Sequence, residues 1–432
     1  MPSSLASPTP DAIIVGGRPA GATLAMRLAK QGLSVVVLER ATFPSGPPVS
    51  IPFLMNNSME LLDELELPEA EYAGDAPRLR RFFVEIRDHF RAGLTISEVA
   101  GRDYVYVVDR ERFDTCLWRS LDRFPTITKR EGVSVSGVTR DAGGRVTGVK
   151  IGDDEILEGG CVIGADGRYS QIARAVGAAV TEERADVETS LLYAYWTGVA
   201  PYDGDPAAVQ IHSSTDGFSL IVMPTTGGRA GVVLQGRADR YNPEGLPAEA
   251  YYLEGLRRHP RVFERLEKAT KVSKVSGIKR IGNLFRRAAG PGWALVGDAF
   301  HQKDSIDAQG IYDALLEAKL LAEVIAGWKC GALRWTEAAA RYEREAVSAT
   351  RPMFLATMDR LKREVYTDVP PLVAKTALRW MMTDPEYMRR FSLLMSRQID
   401  PATFAPPAVL LGALGRGIAA DLRRLVPSSA PR

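Results

Sequence analysis

"DAIIVGGRPAGATLAMRLAKQGLSVVVLER", residues 11–40, decides how the rest of the chain is read. Residues 11–15 are an apolar run that stops at glycine, the pattern of a strand buried on both faces. Beyond Pro19, small and apolar residues recur at helical spacing (Ala22, Ala25, Met26, Leu28, Ala29), and Gly32 supplies a C-terminal stop. Pro19 itself suits a first helical turn. "LSVVVLER" is a second buried strand that ends at Glu39, so a whole β-α-β unit fits within thirty residues.

The turn between the first strand and the helix is "GGRPAG", residues 16–21. A dinucleotide-binding turn has the spacing G-x-G-x-x-G, in which glycines serve a tight turn, close approach of the pyrophosphate, and close helix–strand packing. Gly16 and Gly21 hold the outer positions and Arg18 the middle one, with Gly17, Pro19 and Ala20 completing the turn. Glu39, followed by Arg40, lies 18 residues past Gly21, where a carboxylate accepts hydrogen bonds from ribose hydroxyls. Arg18 either forks onto phosphate oxygens or turns to solvent; the first would convert a steric obstacle into a charge-assisted contact.

Composition narrows the class. With 432 residues, 45% hydrophobic and 25% charged, the chain can bury a large core. A net charge of +2 argues against a nucleic-acid partner. The three cysteines form no C-x-x-C pair, and the four histidines show no metal-ligand spacing on one helix face. No metal is expected, and a reducing, cytoplasmic setting fits. The first ten residues lack the basic and apolar regions of a signal peptide and read as a disordered lead-in. Residues 406–422 are too short to span a bilayer and include Arg416, so a packed helix is expected, with peripheral membrane contact as the lesser alternative, and no stable membrane insertion.

Further along, residues 78–96 alternate as half-buried strands, and 104–124 read as a strand running into a helix. Residues 189–276 carry alternating stretches that predict an antiparallel sheet, followed by a helix near 247–268. "WALVGDA", residues 293–299, is again a buried strand, and a long amphipathic helix follows it. The fold class is thus α/β, an α+β composite. A discontinuous nucleotide-binding domain (11–77, 101–186, 277–336) interleaves with a β-sheet domain (78–100, 187–276), and a helical region covers 337–432.

Two more strand ends carry polar motifs. "CVIGADGRYS" ends on Asp166 and Gly167, and "ALVGDAFHQKDSIDAQGIYDA" carries Gly297 and Asp298 before a helix that opens near Ala308. In this order the three segments resemble the flavoprotein monooxygenase superfamily typified by p-hydroxybenzoate hydroxylase, which includes geranylgeranyl reductases and flavin-dependent halogenases. The G-x-R-x-x-G turn resembles a subgroup of it. The resemblance covers about residues 11–330. It implies that the first motif binds the ADP half of FAD, that Asp166 and Gly167 lie near FAD, and that Asp298 meets the ribityl chain. "DRERFDTCL", residues 109–117, is similar to the family's R-x-x-F/L-D segment, which implies that Arg110 approaches the flavin.

Reduced flavin carries charge near N1, and a helix N-terminus stabilises it. Ala308, Gln309, Gly310 and Ile311 are the expected contacts. Asp307 is either the cap of this helix or a catalytic base or amine anchor beside the flavin. His301 either lines the site or belongs to a loop. Tyr193, Tyr195, His212 and Met223 are the substrate candidates, with the inward face of their strands open because alternation allows two registers.

The resemblance implies a single-component monooxygenase that uses NAD(P)H and molecular oxygen through a flavin C4a-(hydro)peroxide. Its substrate would be an aromatic or polyketide-like small molecule of secondary metabolism. The alternatives are a geranylgeranyl-reductase-like C=C reductase, to which "VVDRERFD" is slightly closer, and a degenerate member without redox chemistry. A halogenase ranks below these because no W-x-W-x-I-P segment is present.

Overall fold

A computed structural model describes residues 9–46, 52–214, 217–242 and 244–425; the amino-terminal lead-in expected over the first ten residues lies almost wholly outside them. Ala12–Val15 is fully buried and sits inside a parallel sheet, with Val35–Glu39 on one side and Val162–Gly164 on the other. Ile127–Glu131 and Trp293–Leu295 extend the sheet in parallel, and Ala289–Gly290 closes one edge antiparallel. The three inner strands Ala12–Val15, Val162–Gly164 and Trp293–Leu295 are apolar and buried because the sheet is covered on both faces there, whereas the edge strand Ile127–Glu131 is polar and partly exposed. Helix α1 (Pro19–Lys30) has basic residues in its last turn, followed by Gly32 at φ +79°. Helix α2 (Arg110–Ser120) starts at Asp109, whose carboxylate accepts from the backbone N–H of Glu111 at 2.9 Å. Helix α3 (Gln171–Val176) follows the "GADG" turn.

Two glycines let the first turn close. Gly16 has φ +109°, and a Cβ there would lie 2.3 Å from the Ala165 carbonyl oxygen. A Cβ on Gly21 would lie 1.8 Å from the carbonyl oxygen of Gly16. Helix and turn therefore touch backbone to backbone, as expected from the spacing.

The second sheet is mixed. Thr189–Thr197 lies between Ser276–Ile281 and Arg229–Arg237; Ser219–Pro224, Ala208–Ser213, Arg81–Ile86 and Phe90–Thr95 follow in order. The pairing of Ala208–Ser213 with Arg81–Ile86 is parallel. One face, called the back here, packs Leu192, Ala194, Trp196, Leu220, Val232 and Leu234 against helices α4 (Ala248–Arg257) and α5 (Pro260–Glu264). A single helix near 247–268 was expected. Pro260 breaks it: His259 takes φ −123° and ψ 82°, an extended conformation of the kind proline imposes on the residue before it.

Helix α6 (Gly310–Lys329) packs alongside α1 over the parallel sheet. Helix α7 (Trp335–Glu364) joins the same core, with the Tyr342 hydroxyl donating to the Leu295 carbonyl at 2.8 Å. The expected helical region over 337–432 thus divides. Its first helix belongs to the nucleotide-binding core, and α8 (Pro385–Met395) and α9 (Pro407–Leu425) form an outer layer. Among the described residues no helix is long and apolar enough to cross a membrane.

The closeness of Gly21 to Gly16 predicts that Gly21→Ala destabilises the protein by about 2–3 kcal/mol, because backbone cannot yield as a flexible side chain can. Urea unfolding without added cofactor should show the lower midpoint at an unchanged slope.

Candidate functional site

The turn at Gly16 is pinned by its own donors. Gly16 N–H reaches the Leu38 carbonyl at 2.8 Å, and Gly17 N–H donates to Glu39 Oε2 at 2.8 Å. Ala41 N–H takes the other oxygen, Glu39 Oε1, at 3.0 Å. Helix α1 has no side-chain cap, so no capping side chain takes its first-turn N–H groups at Ala20 and Gly21, which form a positive helix end. Arg40 is exposed.

Arg18 neither reaches into solvent alone nor stands free for a phosphate. Its Nη1 lies 2.5 Å from Asp114 Oδ2, and it also donates to the carbonyl and hydroxyl of Ser45, each at 3.1 Å. Arg110 forks onto the same buried carboxylate, Nε to Oδ1 and Nη2 to Oδ2, each at 3.0 Å. Two guanidinium groups share one buried carboxylate beside the glycine turn. Phe43 and Trp118 stack 5.1 Å apart there, and a Cβ on Gly17 would meet the Trp118 ring at 2.4 Å. Sequence reading missed Asp114, Phe43 and Trp118. The four-residue spacing from Arg110 to Asp114 was the available signal for the first.

In the second motif, Asp166 is spent on helix α3. It accepts from the N–H of Gln171 at 2.6 Å, the N–H of Ile172 at 3.1 Å and the Ser170 hydroxyl at 2.5 Å. Gly167 follows at φ +78°. In the third motif, Gly297 turns at φ +64°, and the Asp298 side chain stays 40% exposed with Arg168 at 3.5 Å. Gly297 N–H donates to Glu317 Oε2 at 2.7 Å.

Behind this turn, His301 lies 3.2 Å by Nδ1 from Glu317 Oε1 and stacks on Phe285 at 4.3 Å. Burial lifts the Glu317 carboxyl well above its usual range and pushes His301 down to about 3. Burial favours the uncharged form of both groups, and His301 is a core residue, not a lining one.

Asp304 caps a turn over Ser305–Asp307, Ala308 adopts a left-handed φ of +54°, and α6 opens at Gly310 after Gln309. No side chain caps α6, and a Cβ on Gly310 would meet nothing within 4 Å. Open space therefore lies at a positive helix end. The Gln309 side chain turns away to the Met395 carbonyl (3.0 Å) and Arg397 Nε (2.6 Å). Arg397 also pairs with buried Asp313 at 2.6 Å. Asp307 is not the cap. Its carboxylate is fully buried and engaged by the Thr357 hydroxyl and by Arg360 Nη1 at 2.8 Å, both on α7.

The substrate candidates do not share one face. Tyr193, Met223, Val209, Ile211 and Val233 form the front of the sheet and pack in one apolar layer with Phe53, Ala308 and Met395. Tyr195 stands edge-on to Tyr193 at 5.9 Å, beneath the Arg229 guanidinium at 5.3 Å, and burial pushes its hydroxyl up to about 12. His212 lies on the opposite face, where its Nδ1 is 3.2 Å from Glu85 and its ring 4.6 Å from that of His259. That position removes His212 from the layer that Ala308 joins.

Three strand-end turns and two uncapped helix ends, those of α1 and α6, next to an apolar sheet face, define a dinucleotide-dependent flavoprotein. The chain belongs to the FAD-binding domain family, whose profile matches residues 9–349. It is similar to a digeranylgeranylglycerophospholipid reductase of Thermoplasma volcanium, 26% identical over 325 residues that cover 73% of this chain and 78% of the relative. It is likewise similar to a ubiquinone hydroxylase of Rhodospirillum rubrum, 26% identical over 376 residues, with 84% and 83% covered. A solved flavin-dependent brominase shares the fold, with a TM-score of 0.74, 20% identity, and 96% and 99% coverage. The protein is a flavin-dependent oxidoreductase. The donors at α1, the two arginines gathered on Asp114 and the open space at Gly310 all fit FAD.

Two predictions follow from the buried charges. Asp307→Ala leaves Arg360 with only Glu364 and should cost about 3 kcal/mol in chemical denaturation, while the flavin midpoint potential stays unchanged. Glu85 is held down to about 2, first by its hydrogen bond with His212 and then by the Tyr202 hydroxyl, against the opposing effect of burial. A depressed carboxylate contributes stability above its unfolded pKa of about 4.5 and loses it as pH falls towards 2. Glu85→Gln should therefore flatten that part of the stability–pH curve.

Proposed function

We propose that this oxidoreductase is a single-component monooxygenase that takes electrons from NAD(P)H and acts on an apolar small molecule of aromatic or polyketide-like character. The observation that carries this reading is the apolar layer in which Tyr193 and Met223 meet Ala308 at the start of α6. Bound FAD would supply the redox chemistry, accepting two electrons from NAD(P)H so that one atom of oxygen enters the substrate and the other leaves as water.

The protein's own part is binding, orientation and exclusion of water. The N–H groups of Ala20 and Gly21 and the guanidinium groups of Arg18 and Arg110 would hold the pyrophosphate. Each Glu39 oxygen accepts one N–H and retains a lone pair for a ribose hydroxyl. Asp298 is exposed enough to take a ribityl hydroxyl. The backbone from Ala308 to Ile311 presents a positive helix end to a negatively charged reduced ring. Tyr195, kept protonated at neutral pH, can donate a hydrogen bond to a substrate oxygen.

A second reading is reduction of isolated C=C bonds. It is favoured by the digeranylgeranylglycerophospholipid reductases among the relatives and by the aliphatic share of the sheet face.

The deciding measurement is NAD(P)H consumption by FAD-loaded protein, with and without oxygen, across aromatic, polyketide-like and polyprenyl compounds. Substrate-stimulated, oxygen-dependent turnover is expected; anaerobic saturation of a double bond would replace the first reading with the second. Arg18→Ala should weaken FAD binding about ten-fold, or ~1.4 kcal/mol, with a shallower salt dependence in a fluorescence titration. Unchanged affinity would mean that the backbone alone holds the pyrophosphate.

A further inference from the structure

The outer helical layer carries an apolar stripe that no other described residue covers. On α9, Leu411, Ile418 and Leu422 are 68%, 46% and 58% exposed, and their spacing sets all three on one side of the helix. The other side is the packed one. Ala413 is fully buried, a Cβ on Gly417 would lie 2.2 Å from Trp380, and Asp421 takes the Trp380 indole N–H at 2.8 Å. Leu372 and Val373, on the short helix Pro371–Val373 of the same layer, are exposed as well.

Charge gathers in the same place. Residues 371–425 contain eight Lys or Arg and four Asp or Glu, a net +4, whereas the whole chain carries +2, so everything else is net −2. Arg379 and Arg416 are neutralised by Asp421 and Asp384. Lys375, Arg423 and Arg424 are exposed and form no ion pair among the described residues. Helix α9 thus presents apolar side chains outward, with uncompensated positive charge at its C-terminal end and on the adjoining segment.

We propose that this layer docks on an anionic lipid bilayer surface, with α9 lying in the interface plane. The stripe is too short and too interrupted to cross a bilayer, yet it has what an interfacial helix needs: apolar side chains to enter the acyl boundary and cations to meet lipid phosphates. A second copy of the chain is disfavoured as the occupant, because it would set the same unpaired cations against each other. The layer is also the one that reaches the substrate face, since Met395 of α8 packs there and its carbonyl receives Gln309.

The test is co-sedimentation of FAD-loaded, full-length protein with vesicles. Protein should bind vesicles of phosphatidylglycerol and phosphatidylcholine and remain free with phosphatidylcholine alone, and high salt should release it. Arg423→Gln with Arg424→Gln, and separately Leu411→Ser with Leu422→Ser, should each lower the partition coefficient about ten-fold, with flavin content and circular dichroism unchanged. These side chains are exposed, so neither pair threatens folding. No binding to anionic vesicles, equal binding to both vesicle types, or undiminished binding by either pair of variants overturns the proposal. So does a dimer in sedimentation velocity that the leucine substitutions abolish without any vesicle binding.

Discussion

Everything at the nucleotide end of this protein depends on two backbones lying closer than side chains would allow. The Gly16 carbonyl oxygen occupies the place of a Gly21 Cβ, and Gly16 itself is pressed on Ala165. That contact fixes where α1 begins relative to the parallel sheet. It also brings the end of Val162–Gly164 against the first turn, so that the second motif stands beside the first. Glu39 completes the arrangement by accepting from Gly17 N–H, which ties the end of the second strand to the turn between the first strand and α1.

A second, weaker fixture organises the opposite end. The start of α6 has no cap of its own, yet it is held on three sides. Asp304 is gripped by Thr189 and Gln235 of the mixed sheet. Asp307 is gripped by Thr357 and Arg360 of α7, and Gln309 and Asp313 by the Met395–Arg397 corner. Acidic and amide side chains here spend themselves outward, on neighbouring elements. The helix end itself is left clear, which is the arrangement required if a ligand, and not a side chain, is to use it.

This contrast explains what could be read beforehand. The β-α-β unit and the three strand-end turns were legible because they are local: apolar runs, helical spacing and glycine punctuation lie within a few dozen residues. The break before Pro260 was also written locally but was read as one continuous helix. The roles of Asp307, Asp114 and His212 were not legible, since each depends on a partner from another element. Asp307 answers to residues about fifty positions away, and Asp114 to Arg18 across the domain. Alternation marked the strands of the mixed sheet and left two registers. Only the packing of α4 and α5 on one side and Ala308 on the other decides between them, and it turns His212 to the back.

The shared carboxylate of Asp114 has one more consequence. With Arg18 and Arg110 both anchored to it, their long side chains are already ordered, so a phosphate arriving at the turn would not have to freeze them. It would instead have to compete with a permanent internal anion for the same two cations. Such a site trades some grip for shape retention: without a ligand, Asp114 still holds the two arginines together. The turn thereby keeps its internal bonds without drawing on the cofactor for them.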